Sequence, residues 1–168
     1  MRARTQGDIQ RIYDQIESIK KLSDRIIGIG PLNIIGLDGI LALIPIPGLG
    51  TAYSVIAGLI LLMQGARARV SLMTMFVSFI ILLLDSGVST VEGLSEIIPG
   101  INILYWIPGG IDALFQGHLY AAHMMQKDIE KTLYVEGSFA EAYRSGEHQE
   151  NLEEMRSTRG KKRIVYLG

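Results

Sequence analysis

Three aspartates, Asp38, Asp85 and Asp112, stand in otherwise apolar stretches of the chain. A carboxylate in such surroundings is costly unless something pairs, caps or ligates it, so each is a candidate for function. Two kinds of chemistry suit them. If the three meet at the ends of broken helices, they can hold a cation or pass a proton. If they stay apart, Asp38 and Asp112 can cap adjoining helix ends, accepting backbone N–H groups near a positive dipole end. Asp85 can then pair with Arg67 or Arg69, or lie among lipid headgroups. The structural roles are the simpler expectation.

Other groups offer less. His118 and His123 are five residues apart, which on a helix separates them by about 140°, too far for one metal ion. No His-Glu-x-x-His or Glu-x-x-His spacing occurs, so no metal is expected. Pro47-Gly-Leu-Gly50 lacks the Gly-Lys-Ser/Thr that completes a phosphate loop, and no Gly-x-Ser-x-Gly elbow exists. The chain has no cysteine, which excludes disulfides and thiolate metal sites. Its net charge of −1 gives no general attraction to nucleic acid. Neither a catalytic residue nor a cofactor is expected, and the chain reads as a non-enzyme.

The distribution of charge is more informative than its sum. Residues 1–25 hold ten charged side chains and residues 127–168 hold sixteen, whereas residues 26–126 hold seven. Soluble domains average about 25% charged residues, so the central segment cannot supply a polar exterior. Lipid or a large protein partner must cover it. Three segments follow: residues 1–30 as an amphipathic helix, 31–126 as a membrane-embedded unit, and 127–168 as a polar tail.

Ile9, Ile12, Tyr13, Ile16, Ile19, Leu22 and Ile26 recur at helical steps, predicting a helix over residues 6–27. Thr5 and Asp8 suggest a capping box at its start. Its apolar stripe suits either the membrane interface or packing on the rest of the protein. From Gly39 to Ala66 no charge occurs over 28 residues. Yet Pro45, Pro47, Gly48 and Gly50 break this run into two short arms, since proline removes a backbone donor and glycine tolerates positive φ. Two short arms around a break make a hairpin that enters and leaves a membrane on one side. A regular helix is predicted over residues 70–91. A second broken region follows from Glu92 to Gly110, with Pro99, Gly100, Pro108 and Gly109 as its breakers. Gly58 and Gly65 suggest close helix packing. Arg159-Gly-Lys-Lys-Arg163 reads as a solvated basic run.

Asp38-Gly-Ile-Leu-Ala-Leu-Ile-Pro45 and Glu92-Gly-Leu-Ser-Glu-Ile-Ile-Pro99 share one pattern, 54 residues apart. An acid, an apolar stretch and Pro-Gly-x-Gly, then a helix, a mid-chain Asp, a second Pro-Gly break and a terminal Asp resemble the uncharacterised DUF4112 family of bacterial membrane domains. The resemblance covers roughly residues 33–125. It places Asp38, Pro47, Gly48, Gly50, Asp85, Pro99, Gly100 and Asp112 at motif positions. Thr51 stands where the family usually has Asp, Ile101-Asn102 where it has Gly-Asp, and Met75–Leu84 contains no Asn. The family implies a membrane setting and no activity.

The expected fold is therefore all-α, with membrane helical hairpins, an amphipathic N-terminal helix and a polar helical tail. The expected function is that of a structural or accessory membrane protein, acting through lipid and protein contacts. The alternative is a small oligomeric transporter or channel using the aspartates. Membrane lipid, a second copy of the chain or another membrane protein are the expected partners. The positive-inside tendency places the termini and Arg67-Ala-Arg69 on the cytoplasmic side of a cell membrane.

Overall fold

The computed structural model describes residues 2–24, 27–29, 32–35, 49–97 and 117–168, with side chains for 2–21, 55–84 and 117–168. Six helices dominate the described residues: α1 (Gln6–Asp24), α2 (Leu49–Arg67), α3 (Leu72–Ile97), α4 (Gly117–Glu130), α5 (Phe139–Ser145) and α6 (Glu147–Ser157). Two small ribbons accompany them, so the helical expectation holds in outline and misses these strands. Strand β1 (Ile27–Ile29) pairs antiparallel with β2 (Leu32–Ile35). Strand β3 (Thr132–Val135) pairs in parallel with β4 (Arg163–Tyr166), in the register Thr132 to Arg163.

Helix α1 starts where the sequence says it should. The Asp8 amide donates to Thr5 Oγ1 at 3.1 Å, and Asp8 Oδ2 accepts from the Thr5 amide at 3.2 Å, completing both halves of a capping box. Its apolar stripe is turned inward: Ile9, Ile12 and Ile16 are buried. The helix therefore packs on the protein, and these residues are not offered to an interface. Cross-links fix its place. Gln64 of α2 donates to Gln15 at 2.6 Å, Gln126 of α4 donates to Glu17 at 2.8 Å, and Tyr13 donates to Glu130 at 2.8 Å. Helix α1 thus lies against the C-terminal turns of both α2 and α4.

One core gathers residues from all three sequence segments. Ile12 and Ile16 join Leu61, Ala68, Leu82, Ala121, Ala122, Met125, Tyr134 and Leu167. Burial of an Ile or Leu this complete contributes about 2–3 kcal/mol. Gly58 and Gly65 do allow close packing. A Cβ on Gly58 would lie 3.5 Å from Leu82, and one on Gly65 would meet Met75 Sδ at 2.7 Å and Met125 Sδ at 3.0 Å.

Two boundaries differ from the sequence expectation. Helix α3 runs on to Ile97, so Glu92–Ile97 continues it and does not open a second break. Gly93 alone costs about 1 kcal/mol of helix propensity, which a packed helix absorbs. Gly50, expected in the first break, lies in the first turn of α2 for the same reason.

The tail is folded, not a solvated appendage. Its helical stretch divides at Gly146, whose φ of 89° ends α5 in the left-handed region. Ser138 caps α5, accepting from the Glu141 amide at 3.2 Å. Phe139, His148 and Tyr166 stack edge to face, and Tyr166 Oη is hydrogen-bonded to His148 Nδ1 at 2.9 Å and accepts from Asn151 at 3.2 Å. Parallel strands need a long connection; α5 and α6 supply it and return the chain to β3.

Candidate functional site

The residues that organise the molecule lie at the corner between α2 and α3. Helix α2 ends in a Schellman arrangement: the Val70 amide donates to Gly65 O at 3.0 Å and the Arg69 amide to Ala66 O at 3.2 Å. That motif needs a left-handed residue, usually glycine. Here it is Arg69, with φ of 52°. A side chain in this region costs roughly 1–2 kcal/mol.

The cost is offset by what the arginine reaches. Its guanidinium donates to Tyr166 O and, at 3.1 Å, to Leu167 O. Hydrogen bonds from a charged donor contribute about 1.5–3 kcal/mol each. Substituting Arg69 separates the two effects. Arg69→Ala keeps the strain and loses the bonds, whereas Arg69→Gly loses the bonds and relieves the strain. Arg69→Ala is expected to be the less stable by about 1 kcal/mol, read from paired denaturant melts.

The remaining carbonyls of the corner are met by three distant segments. Arg67 O accepts from the Ala3 amide at 3.1 Å. Ala68 O accepts from Tyr134 Oη at 2.8 Å. Arg69 O accepts from Arg163 Nη2 at 3.0 Å. These carbonyls close the C-terminus of α2, where the helix leaves acceptors without intrahelical donors. On the other side of the corner, Asp128 Oδ2 accepts from the Ser71 amide at 2.6 Å, and Arg163 lies 3.3 Å from the same oxygen. Thr132 Oγ1 accepts from Arg163 Nη2 at 3.0 Å and donates to Asp128 O at 2.7 Å. Arg163, expected in a free basic run, is thus a structural latch. Its neighbour Lys161 donates to Thr132 O at 2.8 Å.

Titration follows from these contacts. Hydrogen bonding to Glu130 pushes the Tyr13 phenol up to about 12, and burial pushes Tyr134 to about 12. Glu17 is held below its ordinary value by the Gln126 amide, and Glu130 by Lys127 and then Tyr13. The tyrosines have folded pKa values above the unfolded one, so their contribution is whole below pH about 10 and fades as pH rises toward about 12. The carboxylates have depressed values, so their contribution is whole above the unfolded pKa of about 4.3 and fades as pH falls through the lower folded values. Unfolding midpoints followed by circular dichroism are expected to drop on both sides of that plateau.

Beyond the corner, α2 and α3 present a surface of a different kind. On α2, Val55, Ile56, Leu59 and Met63 point outward, Leu59 with 61% of its surface exposed. On α3, Leu72, Met73, Phe76, Phe79, Ile80, Leu83 and Leu84 do the same, Leu72 with 88% exposed and Phe76 with 62%. The positions repeat at three- and four-residue steps, so each helix has one continuous apolar outer face. The inner stripes mix small or polar residues with leucine: Ala57, Gly58, Leu61, Gln64, Gly65 and Ala68 on α2, and Ser78 and Leu82 on α3. Most of the large apolar side chains of the pair are outside, while Leu61 and Leu82 are buried.

The residues singled out from sequence fare unevenly. Asp38, Asp112, Pro45, Pro47, Gly48, Pro99, Gly100, Pro108 and Gly109 lie outside the described residues. Asp85 lies in α3, 13 residues past Leu72, about 20 Å along the helix. His118 is buried and His123 exposed, on different sides of α4. No cluster of metal-ligating side chains occurs among the described residues. A groove of about 370 Å³ runs between α1 and β3 past Tyr13, Glu130 and Lys161, and those three polar groups are already bonded within the protein. The corner itself was not legible as a site, because its partners lie 57 to 98 residues away in sequence. Comparison with protein-family models, curated proteins and solved structures gives no match for the chain.

Proposed function

We propose that this chain is a non-enzymatic membrane protein, structural or accessory in role, whose α2–α3 hairpin enters lipid from one side and carries a polar module at its corner. The observation that carries the reading is the continuous apolar outer face of the hairpin. Water drives large apolar side chains inward and tolerates small ones outside; lipid removes that bias, and helices then associate through small residues. Leu59, Leu72, Phe76 and Leu83 outside, with Gly58, Gly65 and Ser78 inside beside Leu61 and Leu82, favour the second rule.

The geometry favours partial entry. Among the described residues no helix is long and apolar enough to cross a membrane. The uncharged part of α3 within them, Leu72–Leu84, is 13 residues, about 20 Å against a hydrocarbon core of about 30 Å. Asp85, Glu92 and Glu96 follow. Partial entry of α2 and α3 from the corner side accommodates this length, in keeping with the resemblance to DUF4112 membrane domains. Arg69, Asp128, Tyr134 and Arg163 are engaged with backbone groups, which favours a scaffold over a reaction centre. The N-terminal segment, the corner and the tail are bonded together, so one face of the membrane would carry all three.

Two measurements test this. After cell breakage, the protein is expected to pellet with membranes and to leave them only with detergent; recovery in the supernatant would sink the reading. Single cysteines placed at Arg11 in α1 and Arg159 in the tail are expected to react with an impermeant reagent from the same side. Labelling from opposite sides would exclude the one-sided hairpin.

A further inference from the structure

The corner also carries cations that the fold does not use. Ala3 is buried and its amide is fixed to Arg67 O. Arg2 and Arg4, on either side of it, are exposed. Lys131 and Lys162 are exposed as well, and the Lys162 amide donates to Lys131 O at 2.7 Å. Each stands next to a latch residue, Thr132 or Arg163. None of the four side chains has a hydrogen-bond or ion-pair partner among the described residues.

The acids nearby are already engaged. Asp8 accepts from the amides of Arg4 and Thr5, Glu130 from Lys127 and Tyr13, Glu136 from the Gln6 amide, and Asp128 from Ser71 and Arg163. Four cations with no acid paired to them therefore stand at the end of the hairpin where apolar exposure begins, with the carboxylates of Asp8 and Glu136, held by backbone amides, in the same module. Met63 is exposed one turn before the corner and Leu72 immediately after it. Charge and apolar surface change over at the same level, as phosphate and acyl chain do in a bilayer.

We propose that Arg2, Arg4, Lys131 and Lys162 form a cationic collar that seats the α2–α3 corner on an anionic phospholipid surface, their side chains meeting headgroup phosphates. This rests on the reading of the hairpin as lipid-facing. The collar adds the lipid class and the side of contact.

The test is flotation of the full chain, diluted from detergent, with vesicles of phosphatidylcholine alone or mixed with phosphatidylglycerol. Wild type is expected to prefer the mixed vesicles, and the preference is expected to shrink as salt rises. Arg2→Gln, Arg4→Gln, Lys131→Gln and Lys162→Gln together are expected to remove the preference, by up to about fivefold for each cation, while the unfolding midpoint stays at the wild-type value. Either pair alone should remove part of it, and Arg2→Lys with Arg4→Lys should retain it. Equal partition of wild type into both vesicles would overturn the collar and leave the membrane reading intact. So would a preference that survives all four substitutions. Flotation with neither vesicle would overturn the membrane reading and the collar with it.

Discussion

Asp128→Ala is expected to cost about 3 kcal/mol and to loosen the corner from the polar module. The carboxylate is 16% exposed and faces Arg163, 30% exposed. Breaking a buried pair by removing one partner costs about 3–5 kcal/mol, and the partial exposure of Arg163 places this pair at the low end. The Ser71 amide, held at 2.6 Å, loses its acceptor at the same time. Asp128→Asn is expected to fall between, since an amide oxygen can still accept from Ser71 while the charge opposite Arg163 is gone. Arg163→Met with Asp128→Ala should lose less than the sum of the two single changes, because neither then leaves an unpaired charge. Denaturant melts in micelles give all four values. A cysteine at Ala68, fully buried in the wild type, should react faster in the Asp128→Ala background. Unchanged reactivity there would mean that Asp128 does not hold the corner closed.

Gly65→Leu is expected to be the most damaging change within the hairpin. A Cβ there already meets the sulfurs of Met75 and Met125 at 2.7 and 3.0 Å. Methionine ends can yield to a single methyl group, so Gly65→Ala should be mild. A leucine adds a volume that they cannot absorb, and overpacking costs about 1–3 kcal/mol; this site, between α3 and α4 at once, should reach the upper figure. Gly58→Ala is the contrast. Its Cβ would make ordinary contact with Leu82 at 3.5 Å, so the gain in helix propensity should stabilise α2 by about 0.5–1 kcal/mol. A set of melts in which Gly58→Ala is as harmful as Gly65→Leu would refute this account of the packing.

What the sequence disclosed depended on whether the physics was local. The stripe of Ile9, Ile12 and Ile16 and the Thr5–Asp8 box each act within a few residues, and each can be read from spacing. The spacing of Gly58 and Gly65 carried a packing signal for the same reason. The corner did not declare itself. Nothing in the spacing of Arg69, Asp128 and Arg163 marks them as partners, and a left-handed arginine looks like any arginine. Strands β3 and β4 are four residues each, too short for alternation to register, and they pair across two helices. The polarity of Arg159–Arg163 suggested solvent, whereas Lys161 and Arg163 serve backbone carbonyls. The outer face of α3 has the opposite lesson. Its hydrophobicity was plain, but only the fold distinguishes which residues face inward, and that distinction carries the functional reading.

The latch between Arg69 and Leu167 has a consequence for how the protein is made. The two residues are 98 positions apart, and translation at about 5–20 residues per second puts roughly 5–20 s between their synthesis. Throughout that interval the hairpin exists while its corner lacks its latch. The apolar faces of α2 and α3 must be sheltered, by lipid or by a chaperone, well before β4 can close the module. On the membrane reading proposed above, insertion would come first and latching second, with β4 closing the corner of a hairpin already in place.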